Sequence, residues 1–395
     1  MARLASIPEQ LTAGLLRSLQ MVVDPRKQRG KRYPLVDVLA ITVLGCLCGC
    51  DNAEALEDWG RKESSWLGGF LDLPHGPPRQ DVFLRVLGAM EPEQFRSAFL
   101  SWVQECLRPL GINGQIAVDG QTNRGSRDAA MSRGPVHRVS ALACETGLVL
   151  GQLKTDEKSN EIKAIPELLA LLDLRGAVVS IDAMGCQVEI AKQIKSQGGD
   201  FLFGLKGNQT QLRAEAEAVF AAGNAPQTHN VDDPIPPKIE QATQVDAGHG
   251  RLETRTVKVM SGFADWVPSA DRWPGISTLI CIASRREDLL SGKTNEETRY
   301  YVSSRSLGPT EAHQATRSHW LVENQLHWCL DVTFRQDANQ TRTKNAAENL
   351  AVVRHIALNI LRHHAADRYS VARRRRLCDY RIDYREKLLG MNAGA

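Results

Sequence analysis

The 395-residue chain has little of several things, and each shortage narrows what it can be. Net charge is nearly absent: Lys+Arg 49 against Asp+Glu 46 leaves only +3. Total charge therefore announces no polyanionic partner, and the distribution of charge has to carry any argument for one. The nine cysteines, at 46, 48, 50, 106, 144, 186, 281, 329 and 378, form no CxxC pair, are odd in number and mostly sit in apolar stretches. That pattern favours reduced, buried thiols in a cytosolic protein. No apolar run reaches bilayer length. The longest, "LVDVLAITVLGCLCGC" (35 to 50), contains Asp37 and reads as a buried helix started by Pro34. The opening "MARLASIPEQLTAGLLRSLQ" lacks an apolar segment followed by a cleavage site, so neither secretion nor a membrane partner is expected. There is no internal repeat.

What is present is a chain with 42% hydrophobic residues, enough for a full core and roughly two or three domains. Residues 1–110 read as helical, with apolar periodicity in "AEALEDWGRKESSWL", "DVFLRVLGAM" and, after Pro92, "QFRSAFLSWVQECL". From 111 to 206 the pattern changes. A strand "QIAVD" is followed by a hairpin from "VHRVSALAC" and "GLVLGQLKT". After it come a helix "NEIKAIPELLALLDL", a strand "AVVSID", a helix "CQVEIAKQIKSQG" and a strand "DFLFGLK". Right-handed crossover favours the fourth strand lying beside the first, which would bring Asp119 and Asp182 to neighbouring strand ends. Residues 207–309 are strand-rich, with "RLETRTVKVM", "STLICIAS" and "TRYYVSS", and look like an inserted subdomain. Residues 310–366 read as a long helix capped by Thr310 and a second, "AENLAVVRHIALNILRHHA"; residues 367–395 read as a basic tail in which Arg373 to Arg376 are solvated.

Taken alone, "VDGQTNRGSRD" reads first as a turn at Asp119-Gly120, because Asp-Gly needs no chemistry to explain it. Glu323 changes the balance. It sits mid-helix among Trp320, Leu321, Leu326 and Trp328, where burying a charge is costly without compensation, although a surface position or an ion pair with Arg317 would also account for it. His319, Glu323, His327 and Asp331 recur every four residues but do not make HExxH. Asp119 and Asp182 with Glu323 would form an all-oxygen carboxylate set suited to Mg²⁺ or Mn²⁺, and two such ions support in-line attack on a phosphodiester.

Seven phrases narrow this further: "DPRKQRGKRYPLVDVLAI", "AVDGQTNRGSRD", "DEKSNEIKAIPELLALLDL", "IDAMGCQ", "LKGNQ", "GHGRLETR" and "HWLVENQLHWCLDVTFRQD". Over about residues 20 to 365 the sequence resembles the H-repeat-associated, or ISAs-type, bacterial insertion-sequence DDE transposases. The resemblance implies an α/β fold: a ribonuclease H-like core with a mixed five-stranded sheet, interrupted by a β-rich insertion and preceded by a helical DNA-end-binding domain. It implies Asp119, Asp182 and Glu323 as catalytic and metal residues holding two Mg²⁺ ions, with Mn²⁺ as substitute. The implied partners are double-stranded DNA, as terminal inverted repeats and target, and a second copy in a paired-end homodimer. The location implied is cytoplasmic, at the nucleoid when bound to DNA. Gln121 and Asn123 stand where Lys and Leu are expected after the first aspartate, and Thr316, His319 and Leu330 replace the wider group's Tyr, Arg and Lys around Glu323. Those departures keep two other readings open: a DNA-binding relative without catalysis, and a metal-dependent nuclease that cuts without joining.

Candidate DNA contacts are the dense basic run Arg26, Lys27, Arg29, Lys31 and Arg32, whose alternative reading is a solvated loop. Arg124, Lys206 and Asn208 lie near the expected strand ends, and His249 and Arg251 sit at a glycine-made hairpin turn. Arg317, Trp320 and His327 fit the subgroup's helix phrase. The helices near 79 to 108 are also a candidate helix-turn-helix.

Overall fold

The computed structural model describes residues 7–107, 114–123, 136–155, 161–222, 237–248, 250–363 and 367–391. In chain order the elements are α1 (Ile7–Gln20), α2 (Leu35–Leu47), α3 (Ala53–Lys62), α4 (Ser64–Leu67), α5 (Gln80–Ala89) and α6 (Pro92–Leu107). Then follow β1 (Gln115–Asn123), β2 (Val136–Ala143), β3 (Leu148–Thr155), α7 (Glu161–Ala170), β4 (Val178–Ile181), α8 (Val188–Ser196), β5 (Asp200–Leu205) and α9 (Thr210–Ala222). The chain continues through β6 (Lys238–Gly248), β7 (Arg251–Ser261), β8 (Thr278–Asp288), β9 (Thr294–Ser303), α10 (Pro309–His319) and a π-helix (Val322–His327). It ends with α11 (Trp328–Val332), α12 (Ala346–His363), α13 (Val371–Tyr380) and α14 (Ile382–Leu389). The fold is mixed α/β. No described helix is long and apolar enough to cross a membrane.

Two compact units divide the chain. One comprises residues 1–112, 120–164 and 322–395; the other comprises 113–119 and 165–321.

The first unit is built around α12, which is buried from Leu350 through Leu361 and packs on α2, α5, α6 and β3. A helix buried on every side must satisfy its polar side chains internally. Asn349 Nδ2 donates to Leu87 O (2.7 Å) and Met90 O (3.1 Å), closing the end of α5. Asn359 receives the Val149 N–H at 2.8 Å and donates back to Val149 O at 2.9 Å, a reciprocal pair that fixes α12 on β3. The β2–β3 hairpin turns at Gly147, whose φ of +70° is the left-handed conformation glycine adopts without strain. Helix α2 follows Pro34 and is buried from Val38 to Leu47 as its composition requires.

Residues 367–391 are not a solvated tail. They fold as α13 and α14, and Arg374, Arg375 and Arg385 are buried. The sequence pattern misleads because these guanidiniums are spent on fixed acceptors. Arg374 Nε and the Tyr384 hydroxyl donate to the Asp367 carboxylate at 2.9 and 2.7 Å. Arg375 donates to Cys46 O, Thr333 O and the Asp51 carboxylate at 2.9, 2.6 and 2.6 Å. Arginine's planar, five-donor head makes such multiple capture possible.

The second unit is a mixed sheet with strand order β1-β4-β5-β9-β8-β7-β6. β1, β4 and β5 are parallel, with Val118 opposite Ile181 and Ile181 opposite Phe203; β9 then pairs antiparallel with β5. The strand-rich stretch expected as an inserted subdomain therefore continues this sheet edge to edge. The four residues of β4 are all buried, as for a strand covered on both faces. On one face Val178, Leu202, Val257, Val259, Ile280 and Ile282 pack with Ala312 of α10. Elsewhere Phe201 and Phe203 stack at 4.9 Å and approach Trp273. The distal half of the sheet is uncovered: β9 is exposed from Thr294 to Arg299 and β6 along most of its length.

Candidate active site

Asp119 and Asp182 arise from two short apolar strands. Ile116, Ala117 and Val118 are buried in β1, and Val178 to Ile181 in β4. The parallel register ends at Val118↔Ile181, so the next residue on each strand is an aspartate. Asp119 is not in a turn: β1 runs on through Asn123, because the sheet environment overrides the Asp-Gly preference. Asp182 caps the turn that follows β4. Its Oδ1 accepts the Met184 N–H at 3.0 Å and the Gly185 N–H at 3.4 Å, which leaves Oδ2 outside these bonds. Asn208, expected as a DNA contact, donates its amide to Ala183 O and Cys186 O, and Gln209 Nε2 reaches Cys186 O at 2.9 Å. The two side chains lock the loop carrying Asp182.

A polar network that the sequence did not single out lies beneath Asp182. Gln115 Nε2 donates to Ser180 Oγ (2.7 Å) and Ala315 O (2.8 Å), and His319 Nδ1 lies 3.2 Å from Ser180 Oγ. Burial holds the His319 imidazole below its ordinary pKa, opposed by the Asp182 charge. The imidazole thus sits within electrostatic reach of the aspartate. The fourfold stripe of the sequence had flagged His319 without assigning it a part.

In the other unit, the Glu161 carboxyl group closely approaches Gly120. A Cβ at residue 120 would stand 2.5 Å from the Glu161 carboxyl group, which is itself buried. Gln121 Nε2 donates to Asp331 Oδ2 at 3.0 Å. Glu323 lies on the π-helix and is exposed, the surface position that the sequence had left open for it beside a buried charge. The expected long helix is interrupted: α10 ends at His319, and its N-cap is Gly308, not Thr310. The Glu311 carboxylate accepts the Gly308 N–H at 3.0 Å, the half of a capping box that glycine permits. π-helical turns cost hydrogen-bond geometry and are frequent at functional sites.

The remaining candidates separate into spent and available groups. Arg26 is a structural clamp, with two bonds to the Asp24 carboxylate at 2.9 Å and one to Tyr33 O at 2.7 Å, and Lys31 lies 3.7 Å from Asp24. Burial opposes ionisation of Asp24, but Arg26 and Lys31 hold its pKa below the ordinary value. Lys27, Arg29 and Arg32 are exposed, as is Lys206. Arg251 lies 3.9 Å from Asp288 and Arg317 2.9 Å from Asp246, both at the surface. Trp320 is partly exposed beneath Arg299, 5.2 Å from its ring. His327 is buried, and desolvation lowers its pKa to about 4. Arg124 and His249 lie outside the described residues. Among the described residues no three His, Cys, Asp or Glu side chains converge closely enough to hold a metal.

This fold and the paired carboxylates place the chain among mixed α/β proteins with an acidic site at the carboxyl ends of parallel strands. Residues 113–360 match the family model described as Transposase DDE domain and residues 16–103 the model described as DDE_Tnp_1-associated; the chain belongs to the DDE transposase family. It is 37% identical to YncI of Escherichia coli O157:H7, a protein with a transposase name, over 95% of this chain and 94% of that one. It is 36% identical to YhhI of Escherichia coli K12, named as H repeat-associated, over 88% and 90%. The solved piggyBac transposase synaptic complex with hairpin DNA aligns with 100% of this chain and 82% of that one, at 9% identity and TM-score 0.45.

Proposed function

We propose that the chain is an insertion-sequence transposase that binds the terminal inverted repeats of its own element, cleaves DNA at those ends and joins the freed 3′-hydroxyls to target DNA. The observation carrying this reading is that Asp119 and Asp182 each directly follow the last registered pair, Val118↔Ile181, of two adjacent parallel strands, one oxygen of Asp182 being tied to backbone N–H groups and the other outside those bonds. Asp119, Asp182 and Glu323 are the residues that would hold Mg²⁺, or Mn²⁺ in its place, once brought together; their all-oxygen donor set fits a hard divalent cation. Bound there, such ions would supply Lewis-acid activation of an attacking water or hydroxyl and charge stabilisation for the departing oxygen.

The chain's own residues supply the rest. Asn208 and Gln209 hold the Asp182 loop, and the Ser180, Gln115 and His319 network keeps β1 and β4 in register beneath it. Lys27, Arg29, Arg32 and Lys206 neutralise phosphates without reading bases, which makes binding salt-dependent. In this reading residues 1–110 bind the element ends, residues 111–206 and 310–366 form a ribonuclease H-like catalytic core, and residues 207–309 are its β-rich insertion. The working complex is a homodimer that pairs two ends, and it acts in the cytoplasm at the nucleoid.

A DNA-binding role without catalysis is favoured by one feature, the neutral Gln121 engaged with Asp331 where a lysine is expected. The two readings part in a cleavage assay on DNA carrying the element ends. Asp119→Asn and Glu323→Gln should abolish Mg²⁺-dependent cutting while end binding persists, and labelled ends should become covalently attached to a target plasmid in the unsubstituted protein. Cutting without attachment would indicate a nuclease; no cutting by the unsubstituted protein would favour the binding role.

A further inference from the structure

A groove of 930 Å³ in the first unit has no part in the reading above. It lies between the end of the π-helix, the carboxyl end of α12 and one face of α13, within the range of about 300 to 1,000 Å³ typical of small-ligand sites. Its walls are unusual for a protein surface. Trp328 is 60% exposed and Tyr380 67% exposed, and Tyr369 and Val332 are exposed beside them. Four large apolar side chains left in solvent around one depression mark a binding surface.

Charge says what kind. Asp379, the acidic lining residue, is paired with Lys62 at 3.1 Å. Arg375 is buried and bound to Asp51, so it builds the wall. Arg376 is exposed on the lining, and the Arg373 guanidinium lies 3.8 Å from the centre of the Tyr369 ring. The cations that face solvent are therefore arginines set among exposed aromatic faces. Stacking platforms interleaved with arginine suit a single-stranded nucleic acid, whose bases present flat π-faces and whose phosphates need cations.

We propose that this groove binds unpaired nucleotides of single-stranded DNA, with Trp328 and Tyr380 stacking on bases and Arg376 neutralising the adjoining phosphate. The proposal rests on the DNA-binding reading and assigns it a second, strand-separated subsite. It needs no metal.

The test uses the full chain and fluorescently labelled oligonucleotides of three kinds: single-stranded, the same strand with abasic sites, and duplex. Single-stranded binding should weaken roughly tenfold or more on Trp328→Ala or Tyr380→Ala. Abasic sites should weaken binding to the unsubstituted protein by a similar factor and to Trp328→Ala hardly at all. Duplex affinity should stay unchanged in both variants. 2-Aminopurine placed in the strand should be quenched on binding, and Arg376→Gln should lower the salt dependence of single-strand binding. Both aromatic side chains are largely exposed, so unchanged circular dichroism is expected and checks the fold. Equal loss of single-strand and duplex affinity, or full quenching with Trp328→Ala and Tyr380→Ala combined, would overturn the proposal. So would loss of self-association with single-strand affinity intact, since that would make the groove a contact between copies. If the unsubstituted protein bound no DNA of any kind, the underlying reading would fail as well; duplex binding without any stacking response would remove this subsite alone.

Discussion

Substituting Arg385→Met should destabilise the first unit by about 3 to 5 kcal/mol, the cost of stripping one partner from a buried ion pair. Arg385 has no exposed surface, and its Nη2 donates to the Glu63 carboxylate at 2.5 Å; Glu63 is itself buried. Nη1 donates to Cys378 O at 3.2 Å, and the guanidinium lies 3.9 Å from the centre of the Trp66 ring, a contact worth about 0.5 to 2 kcal/mol. Methionine keeps most of the packing and removes all of these. Lys62, 3.6 Å from Glu63 but largely exposed, offsets only part of the stranded charge. Glu63→Leu combined with Arg385→Met should recover much of the loss, because the desolvated carboxylate is then gone too. Urea unfolding followed by tryptophan fluorescence is a suitable assay, since Trp59 and Trp66 flank the pair and urea does not screen charge. A single variant within about 1 kcal/mol of the unsubstituted protein would refute the reasoning.

Three further outcomes follow from the same packing. His327 and His355 have folded pKa values lowered to about 4 and about 3 from 6.5, both by burial first, with Arg138, His327, Arg354 and Arg362 adding to the effect on His355. The unfolded chain then binds more protons, so stability should fall as pH drops below about 6.5, by about 1.4 kcal/mol per pH unit for each histidine. His355→Leu should flatten the unfolding free energy between pH 4.5 and 6, and an unchanged slope would contradict it. The eight described cysteines are all buried, and burial raises the thiols of Cys46, Cys50, Cys281, Cys329 and Cys378, and those of Cys48 and Cys186 to about 12. They should resist a disulfide reagent until urea unfolds the chain, whereas rapid labelling of several in native protein would count against the core. Asn208→Ala frees the loop after β4, so it should reduce DNA cleavage far more than DNA binding; equal losses would indicate a direct DNA contact.

The sequence made the central topology legible because each strand there carries its own signal. "QIAVD" and "AVVSID" are short apolar runs ending in aspartate, and right-handed crossover favoured their lying side by side, as β1 and β4 do. Helix breaks were harder to read. Nothing in "HWLVENQLH" breaks a helical pattern, yet the chain adopts a π-helix from Val322 to His327, and Glu323 is exposed there. Arginine burial was invisible for a related reason. "RRRR" is polar by composition, and only the acceptors supplied by Cys46, Asp51, Thr333 and Asp367 turn Arg374 and Arg375 inward. The same holds for Arg26, whose partner Asp24 was two residues away in a run read as uniformly basic. The approach of the Glu161 carboxyl group to Gly120 could not be read at all, since it arises only in the folded chain.

The most direct test of the account compares the unsubstituted protein with Asp182→Asn in one experiment, on DNA bearing the element's own ends, scoring end binding and Mg²⁺-dependent strand cleavage from the same samples. The account predicts equal end binding and cleavage reduced to the level seen without metal. Cleavage by Asp182→Asn close to that of the unsubstituted protein would contradict it, because the carboxylate that closes β4 would then have no part in the chemistry.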